Sequence, residues 1–203
     1  MVESNVASYC RFYIVRHGES ELNLAGLIAG QLDSPLTESG REQAKKTGQL
    51  LQAVDFKAAF SSDLKRARET AEIILEGQSD VLPLTLTPLL RERHFGRFQG
   101  TDKLSFYDFF NQLPPKEQFK FKEESGEMES EEDSLNRLLE FINQTAPLYL
   151  NQDILVSCHG GLMYNLLYHL GKLDYGSKRE GGKIANASYL RLLANGKQIL
   201  LLE

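Results

Sequence analysis

Residues 13–20 read YIVRHGES. The run from Arg11 to Val15 that leads into this stretch has the length and the aromatic and β-branched content of a strand, and it lacks the polar alternation of a half-exposed one. It stops abruptly in Arg16, His17, Gly18 and Glu19. A strand covered on both faces belongs to a parallel sheet, and ligands of such sheets bind beyond the carboxyl ends of the strands. The stretch therefore points both to a fold class and to a place where chemistry would occur.

Similar runs lie at Ala58 to Ser62, Leu82 to Leu86, Ile154 to Cys158, Ser188 to Leu193 and Gln198 to Leu202. Helical patterns fall between several of them. One opens at Thr37 as N-cap and aligns Ala44, Gly48 and Leu51; another opens at Ser62 and aligns Leu64, Ala67, Ala71, Ile74 and Leu75. Strands alternating with helices predict an α/β fold, a mostly parallel central sheet of about six strands covered on both faces. The last two strands, joined by ANGK, read as an antiparallel hairpin at one edge.

With 203 residues and no linker rich in Gly, Ser or Pro, the chain reads as a single domain over residues 1–203. Residues 101–133 fit the alternation least. They pass from an aromatic helix through Pro114 and Pro115 to an acidic run, and read as a cap-like excursion over one end of the sheet, the acidic run being a solvated face or loop.

A formal net charge of −5 argues against nucleic acid and membrane surfaces as partners, since both call for clustered Lys and Arg. Any anion site must be local. The N-terminal stretch has no basic region ahead of its apolar residues and does not read as a secretory signal, and no apolar run approaches the roughly 20 residues of a spanning helix. Cys10 precedes the first strand and Cys158 closes a later one, so in a parallel sheet they stand on the order of 15 Å apart at about 3.3 Å per residue and do not pair. Reduced thiols fit a cytoplasmic protein. The four histidines lack the spacing of metal ligands, so no metal is expected.

Four polar clusters sit at or beside strand ends: RHGES, SSDLKRARET, LRERHFG and SCHGG. Each alone is weak, because a bare Arg-His-Gly occurs by chance in about 1% of chains of this length. His17 alone would be a hydrogen-bonded histidine at a strand end, and His159 alone a cap for the apolar helix after it. Together they say more. Arg16 can reach the spot that His17 faces, and Arg66, in the first turn of its helix, leans back toward the same sheet edge because helical side chains tilt toward the N-terminus. Two guanidinium forks, two imidazoles and a helix N-terminus suit a phosphoryl group.

These four motifs, in this order from about Phe12 to Leu193, resemble the histidine phosphatase superfamily of phosphoglycerate-mutase-like enzymes. The resemblance implies a three-layer α/β/α sandwich, a phosphohistidine intermediate and no cofactor. By matching positions it implies His17 as nucleophile, Arg16, Arg66 and His159 as the phosphate pocket, Glu92 as proton donor, and Asn23 and Gly160 as further substrate contacts. Without it, Glu92 reads equally well as a surface carboxylate paired with Arg91 or Arg93. Arg68, Arg93 and Arg97 read as partners of nearby acids, His94 as structural although close to the pocket, and His169 as a core histidine.

Phosphatases of the family often carry GGES before the pattern E-S-x-x-D-x-x-x-R. Here GEMES keeps Glu129, Ser130, Asp133 and Arg137 but has Met128 for the second glycine. Lys103 after LRERHFGRFQG resembles the mutases, whereas Phe95 stands where they carry tyrosine, and their longer insertion with an adjacent arginine pair has no counterpart. A phosphatase acting on a small phosphorylated substrate is the leading reading; a phosphoglycerate mutase and a catalytically silent phospho-ligand binder are the alternatives. The sequence leaves the oligomeric state open.

Overall fold

The run that enters RHGES forms strand β1, Cys10–Arg16, and its lack of alternation is explained by what covers it. The computed structural model describes residues 8–114, 117, 128–173 and 184–202. Among these, the strands are β1, β2 (Phe56–Ser62), β3 (Leu84–Thr87), β4 (Asp153–Cys158), β5 (Tyr189–Ala194) and β6 (Ile199–Leu202), in one sheet of order β3-β2-β4-β1-β5-β6. The first four are mutually parallel, β1 pairing with β4 from Arg11 opposite Asp153 to Arg16 opposite Cys158. Strand β5 runs antiparallel to β1 and forms the edge hairpin with β6. The α-helices with bounds set among the described residues are α1 (Glu21–Leu24), α2 (Glu38–Leu51), α3 (Lys65–Glu76), α4 (Lys103–Gln112), α5 (Glu131–Thr145) and α6 (Gly160–His169).

Successive β1 side chains enter different cores, as the two-residue period of a strand requires. Phe12 and Ile14 pack with Ile154, Val156 and Leu192 against Leu138, Phe141 and Ile142 of α5 and Leu162 and Leu166 of α6. Tyr13 and Val15 face the other way, toward Leu51, Phe56, Ala59, Ile74 and Leu155. Each fully buried side chain of this size contributes about 1.5–3 kcal/mol, so both layers are held by the sheet. Helix α2 approaches α3 closely because Gly48 lies against the Ile74 backbone. Cys10 and Cys158 are both free and buried, six register steps apart on neighbouring strands.

Thr37 caps α2, its hydroxyl accepting from Gly40 N–H. Ser62 does not cap α3 as expected. The helix begins at Lys65 with Leu64 as N-cap, because Ser62 completes β2; its hydroxyl accepts from Leu64 N–H at 3.3 Å, ahead of the helix, and lies 2.9 Å from His159 Nε2. Strand β3 starts at Leu84 and not at Leu82, since Pro83 has no N–H for the ladder. His169 is exposed at the last residue of α6, not in the core: its side chain falls on the solvent side of the helix, while the following Leu170 still packs against the apolar core. Among the described residues no helix is long and apolar enough to cross a membrane.

The described part of the acidic run, residues 128–133, leads into a helix. Residues 118–127 lie outside the described residues. Beyond them, Ser130 caps α5 by accepting from Asp133 N–H, and Glu131, Glu132 and Asp133 fill its first turn, where the helix dipole favours negative charge. Met128 is buried with Ile28 and Phe106 among Phe95, Phe98, Tyr107 and Phe110, so it serves as an apolar anchor where the family pattern has glycine.

Candidate active site

The turn after β1 is built by close backbone approach. A methyl group on Gly18 would run into the Gly40 carbonyl at the start of α2, so glycine is needed where these two segments touch. Gly18 N–H donates to Thr70 Oγ1 of α3 at 3.0 Å. His17 N–H donates to the Cys158 carbonyl at 3.0 Å, tying the turn to the end of β4.

The His17 side chain is buried, with 3% exposure. Its Nδ1 lies 2.6 Å from the Gly18 carbonyl oxygen, which can only accept, so Nδ1 carries the proton and Nε2 the lone pair. Arg66 Nε–H donates to that lone pair at 3.3 Å. Burial, then the charges of Arg66 and Arg16, hold the imidazole well below its ordinary pKa, against the opposing bond to Gly18. The ring is therefore neutral at physiological pH.

Arg66 is the largest fully buried side chain among the described residues, at 1% exposure. Its Nη1 donates to the Leu32 carbonyl at 2.8 Å and its Nη2 to the Gly30 carbonyl at 2.6 Å, which orients the guanidinium plane. Burial pulls its pKa down to about 10, so it remains a cation at neutral pH. Arg16 donates through Nη1 to the Ile184 carbonyl, while its buried Nε has no hydrogen-bond partner among the described residues. Its pKa is also lowered, by burial above all.

His159 occupies the N-cap position of α6 but makes no capping hydrogen bond with its ring. Instead Nε2 lies 2.9 Å from Ser62 Oγ, and the ring centroid is 5.1 Å from that of His17. A Ser62 hydroxyl that donates to Nε2 leaves the His159 proton on Nδ1, a buried atom without a partner among the described residues. Burial and the Arg66 charge lower its pKa well below the usual histidine value.

Glu92 is not paired with its arginine neighbours. Arg91 binds Asp63 in a two-point salt bridge and Arg93 reaches Glu131, which frees the Glu92 carboxylate to accept from Arg93 N–H at 2.9 Å and Gly161 N–H at 3.0 Å. A methyl on Gly161 would run into that carboxylate, and one on Gly160 would come within 3.0 Å of Arg16 Nε. The first turn of α6 thus touches Arg16 and Glu92 on successive residues. The six expected side chains and Gly160 all belong to this region: Asn23, in α1, has its Oδ1 3.5 Å from Asn186 Nδ2, which also donates to the His17 carbonyl at 3.1 Å.

Of the other expectations, Arg68 pairs with Glu72, while Arg97 lies over the Phe98 ring instead of an acid. His94 Nδ1 accepts from Gly96 N–H at 3.1 Å, a local structural bond. Sequence reasoning missed Ser62, Thr70 and Asn186 as supports of the site. Thr70 lies one turn after Arg66 and was legible from helical spacing; Asn186 has no local signal. Ala187, beside it, has φ +57°, a conformation costly for a residue with a Cβ. It is held there by its N–H to the His17 carbonyl and by Thr47 Oγ1 donating to its own carbonyl at 2.6 Å.

The model of the histidine phosphatase superfamily (branch 1) matches residues 12–203. The chain is 34% identical to 2,3-bisphosphoglycerate-dependent phosphoglycerate mutase 2 of Gloeobacter violaceus, over 79% of this chain and 75% of that protein. It is 44% identical to the adenosylcobalamin/alpha-ribazole phosphatase of Salmonella typhimurium over a shorter region, 44% of this chain and 43% of that one. The crystal structure of a phosphoglycerate mutase from Bacillus anthracis superposes with a TM-score of 0.81 at 28% identity, covering 97% of this chain and 92% of that chain. With the family model spanning nearly the whole chain, and sheet and site motifs in agreement, this protein belongs to the histidine phosphatase superfamily, branch 1.

Proposed function

We propose that the chain is a phosphomonoester hydrolase that works through a phosphohistidine on a small phosphorylated metabolite. One observation carries the reading: the His17 Nε2 lone pair is flanked by Arg66, while two nearby buried donors, Arg16 Nε and His159 Nδ1, have no hydrogen-bond partner among the described residues. Cationic and neutral N–H donors around one nucleophilic nitrogen match the oxygens of a phosphoryl group, whose transfer depends mainly on positioning and charge stabilisation. Residues 101–133 are read as a cap-like excursion of one domain spanning the chain.

In the first half-reaction His17 Nε2 bonds to phosphorus as the ester P–O bond breaks, and protonated Glu92 gives its proton to the leaving oxygen. In the second, the Glu92 carboxylate takes a proton from water while the water oxygen attacks phosphorus and the P–N bond breaks. Inorganic phosphate leaves and His17 is again neutral. A carboxylate poised to move protons disfavours the silent binder.

Glu92→Gln tests the assignment. Its kcat/KM should fall by roughly 10²-fold on an alkyl phosphate and less than about 10-fold on 4-nitrophenyl phosphate, whose phenolate leaves without a proton. Because kcat/KM reports events up to leaving-group departure, the later water attack does not confuse the comparison. Equal losses on both substrates would overturn the proton-donor role.

Similarity to the Gloeobacter mutase over most of both chains keeps isomerisation as a second reading. Phe95 and the sequence from Gly100 to Asn136, which contains no arginine, favour hydrolysis, because a mutase must retain an anionic bisphosphate while it reorients. With 3-phosphoglycerate and catalytic 2,3-bisphosphoglycerate, free phosphate should accumulate faster than 2-phosphoglycerate forms. Isomerisation tenfold faster than phosphate release would restore the mutase.

A further inference from the structure

The segment that carries Glu92 belongs to neither a regular helix nor a strand. After β3 the chain makes one turn of 3-10 helix over Pro88–Leu90 and then runs through Arg91 to His94 without ladder partners. A proton donor on such a segment is only as well placed as its backbone, and a displacement of about 1 Å can cost around 10²-fold in rate. An ion pair at the end of the excursion holds much of this backbone.

Arg137, on α5, donates through Nε and Nη2 to the two carboxylate oxygens of Glu129 at 2.6 and 2.8 Å. The rest of its guanidinium faces the Glu92 segment. Nη1 reaches the carbonyls of Leu89 at 2.9 Å, Arg91 at 3.1 Å and Pro88 at 3.3 Å, and Nη2 reaches that of Arg91 at 3.2 Å. Glu129 grips the other side. Its Oε2 accepts from His94 N–H at 3.0 Å, and its own N–H donates to the His94 carbonyl at 2.9 Å. The ion pair thus fastens the backbone on both sides of Glu92, from Leu89 to His94. Glu129 and Arg137 are 16% and 22% exposed in their side chains, so water competes little for these bonds.

We propose that Glu129 and Arg137 are positioning residues for Glu92: the pair clamps the backbone so that the Glu92 carboxylate stays at the N-terminus of α6, aimed at the leaving oxygen. The inference rests on the reading of Glu92 as proton donor. It gives the E-S-x-x-D-x-x-x-R stretch a division of labour, in which Ser130 and Asp133 start the helix and the outer Glu and Arg serve the reaction from a distance. Guanidinium geometry is essential, since an ammonium cannot span a carboxylate and a row of carbonyls at once.

The test compares Arg137→Met, Glu129→Gln and Glu92→Gln by kcat/KM on an alkyl phosphate and on 4-nitrophenyl phosphate, with a thermal melt for each. Arg137→Met should lose about 30- to 100-fold on the alkyl ester and less than about threefold on the nitrophenyl ester. Glu129→Gln should move the same way by a smaller factor, and it carries the test if Arg137→Met does not fold. Added to Glu92→Gln, Arg137→Met should cost little more on the alkyl ester, because the group it positions is already disabled. A purely structural pair would lower the melting temperature and depress both substrates equally; that result, or multiplicative losses in the double variant, overturns the inference. If Glu92→Gln shows the selective loss and neither clamp variant does, only the clamp falls. If Glu92→Gln is itself unselective, the proton-donor reading falls and the clamp with it.

Discussion

His17→Ala is expected to lower kcat/KM by at least about 10⁴-fold on every phosphomonoester, the scale seen when a nucleophile is deleted. Brief exposure of the wild type to labelled substrate followed by denaturation should leave phosphate on His17, stable in alkali and lost in acid, and the variant should take up no label. Folding survives the change because the turn is held by the His17 main chain, whose N–H binds the Cys158 carbonyl and whose carbonyl accepts from Ala187 and Asn186. The ring contributes one bond to Gly18 and accepts one from Arg66, so its loss leaves the Arg66 Nε–H unpaired at a cost of about 1–3 kcal/mol. Circular dichroism should be unchanged and the melting temperature lowered by several degrees. Label on Cys158 would overturn the assignment, and the environment argues against it: burial raises that thiol's pKa, so it stays protonated and a poor nucleophile. Full activity in the variant would sink the mechanism.

The sheet was legible in the sequence because both of its faces are covered. Strands such as β1 and β4 read as unbroken apolar runs, and a buried run has few ways to be misread when turn residues bound it. Boundaries were less legible, for reasons that are local. Ser62 looks like a helix cap by residue type, but it ends β2 two residues before the N-cap, and its hydroxyl, besides accepting from Leu64 N–H, meets His159, a partner 97 residues away that no window contains. His169 looks buried because its helix is apolar, yet in the last turn Tyr168 and His169 face solvent while Leu170 keeps to the core. The side chains at strand ends, His17, Arg16 and His159, were legible as a set, since a parallel sheet gathers its carboxyl ends along one edge. Apart from Thr70, the supports were not. Asn186, strained Ala187 and the grip of Arg137 on a row of carbonyls depend on backbone geometry, which residue types do not announce.

Arg66→Met is expected to lower kcat/KM by about 10³- to 10⁴-fold and, in the same variant, to move the acid limb of the pH profile upward. The first effect follows from the loss of a preorganised cation beside the transferring phosphoryl group, where arginines are worth about 10³ to 10⁵ in rate. The second follows from the sign of the shift on His17. Burial is the largest of the causes that lower its pKa, and the Arg66 charge contributes more than that of Arg16. Removing the Arg66 charge removes part of the lowering, so the His17 pKa rises toward its ordinary value while burial and Arg16 still hold it down. A higher pKa means that His17 takes up its proton at a higher pH as the solution is acidified. The protonated ring has no lone pair for phosphorus, so activity begins to fall earlier. Stability should move less than activity. The Gly30 and Leu32 carbonyls lose their donors, which costs about 1–3 kcal/mol each if water cannot reach them, but the variant no longer keeps a guanidinium out of water at 1% exposure. These contributions oppose one another, and at about 2–4 °C per kcal/mol for a chain of this size the melting temperature should shift by only a few degrees. The decisive measurement is kcat/KM against pH for wild type and variant. A large rate loss with an unmoved acid limb would mean that Arg66 clamps phosphate without tuning the nucleophile, and an unchanged rate would remove it from the site altogether.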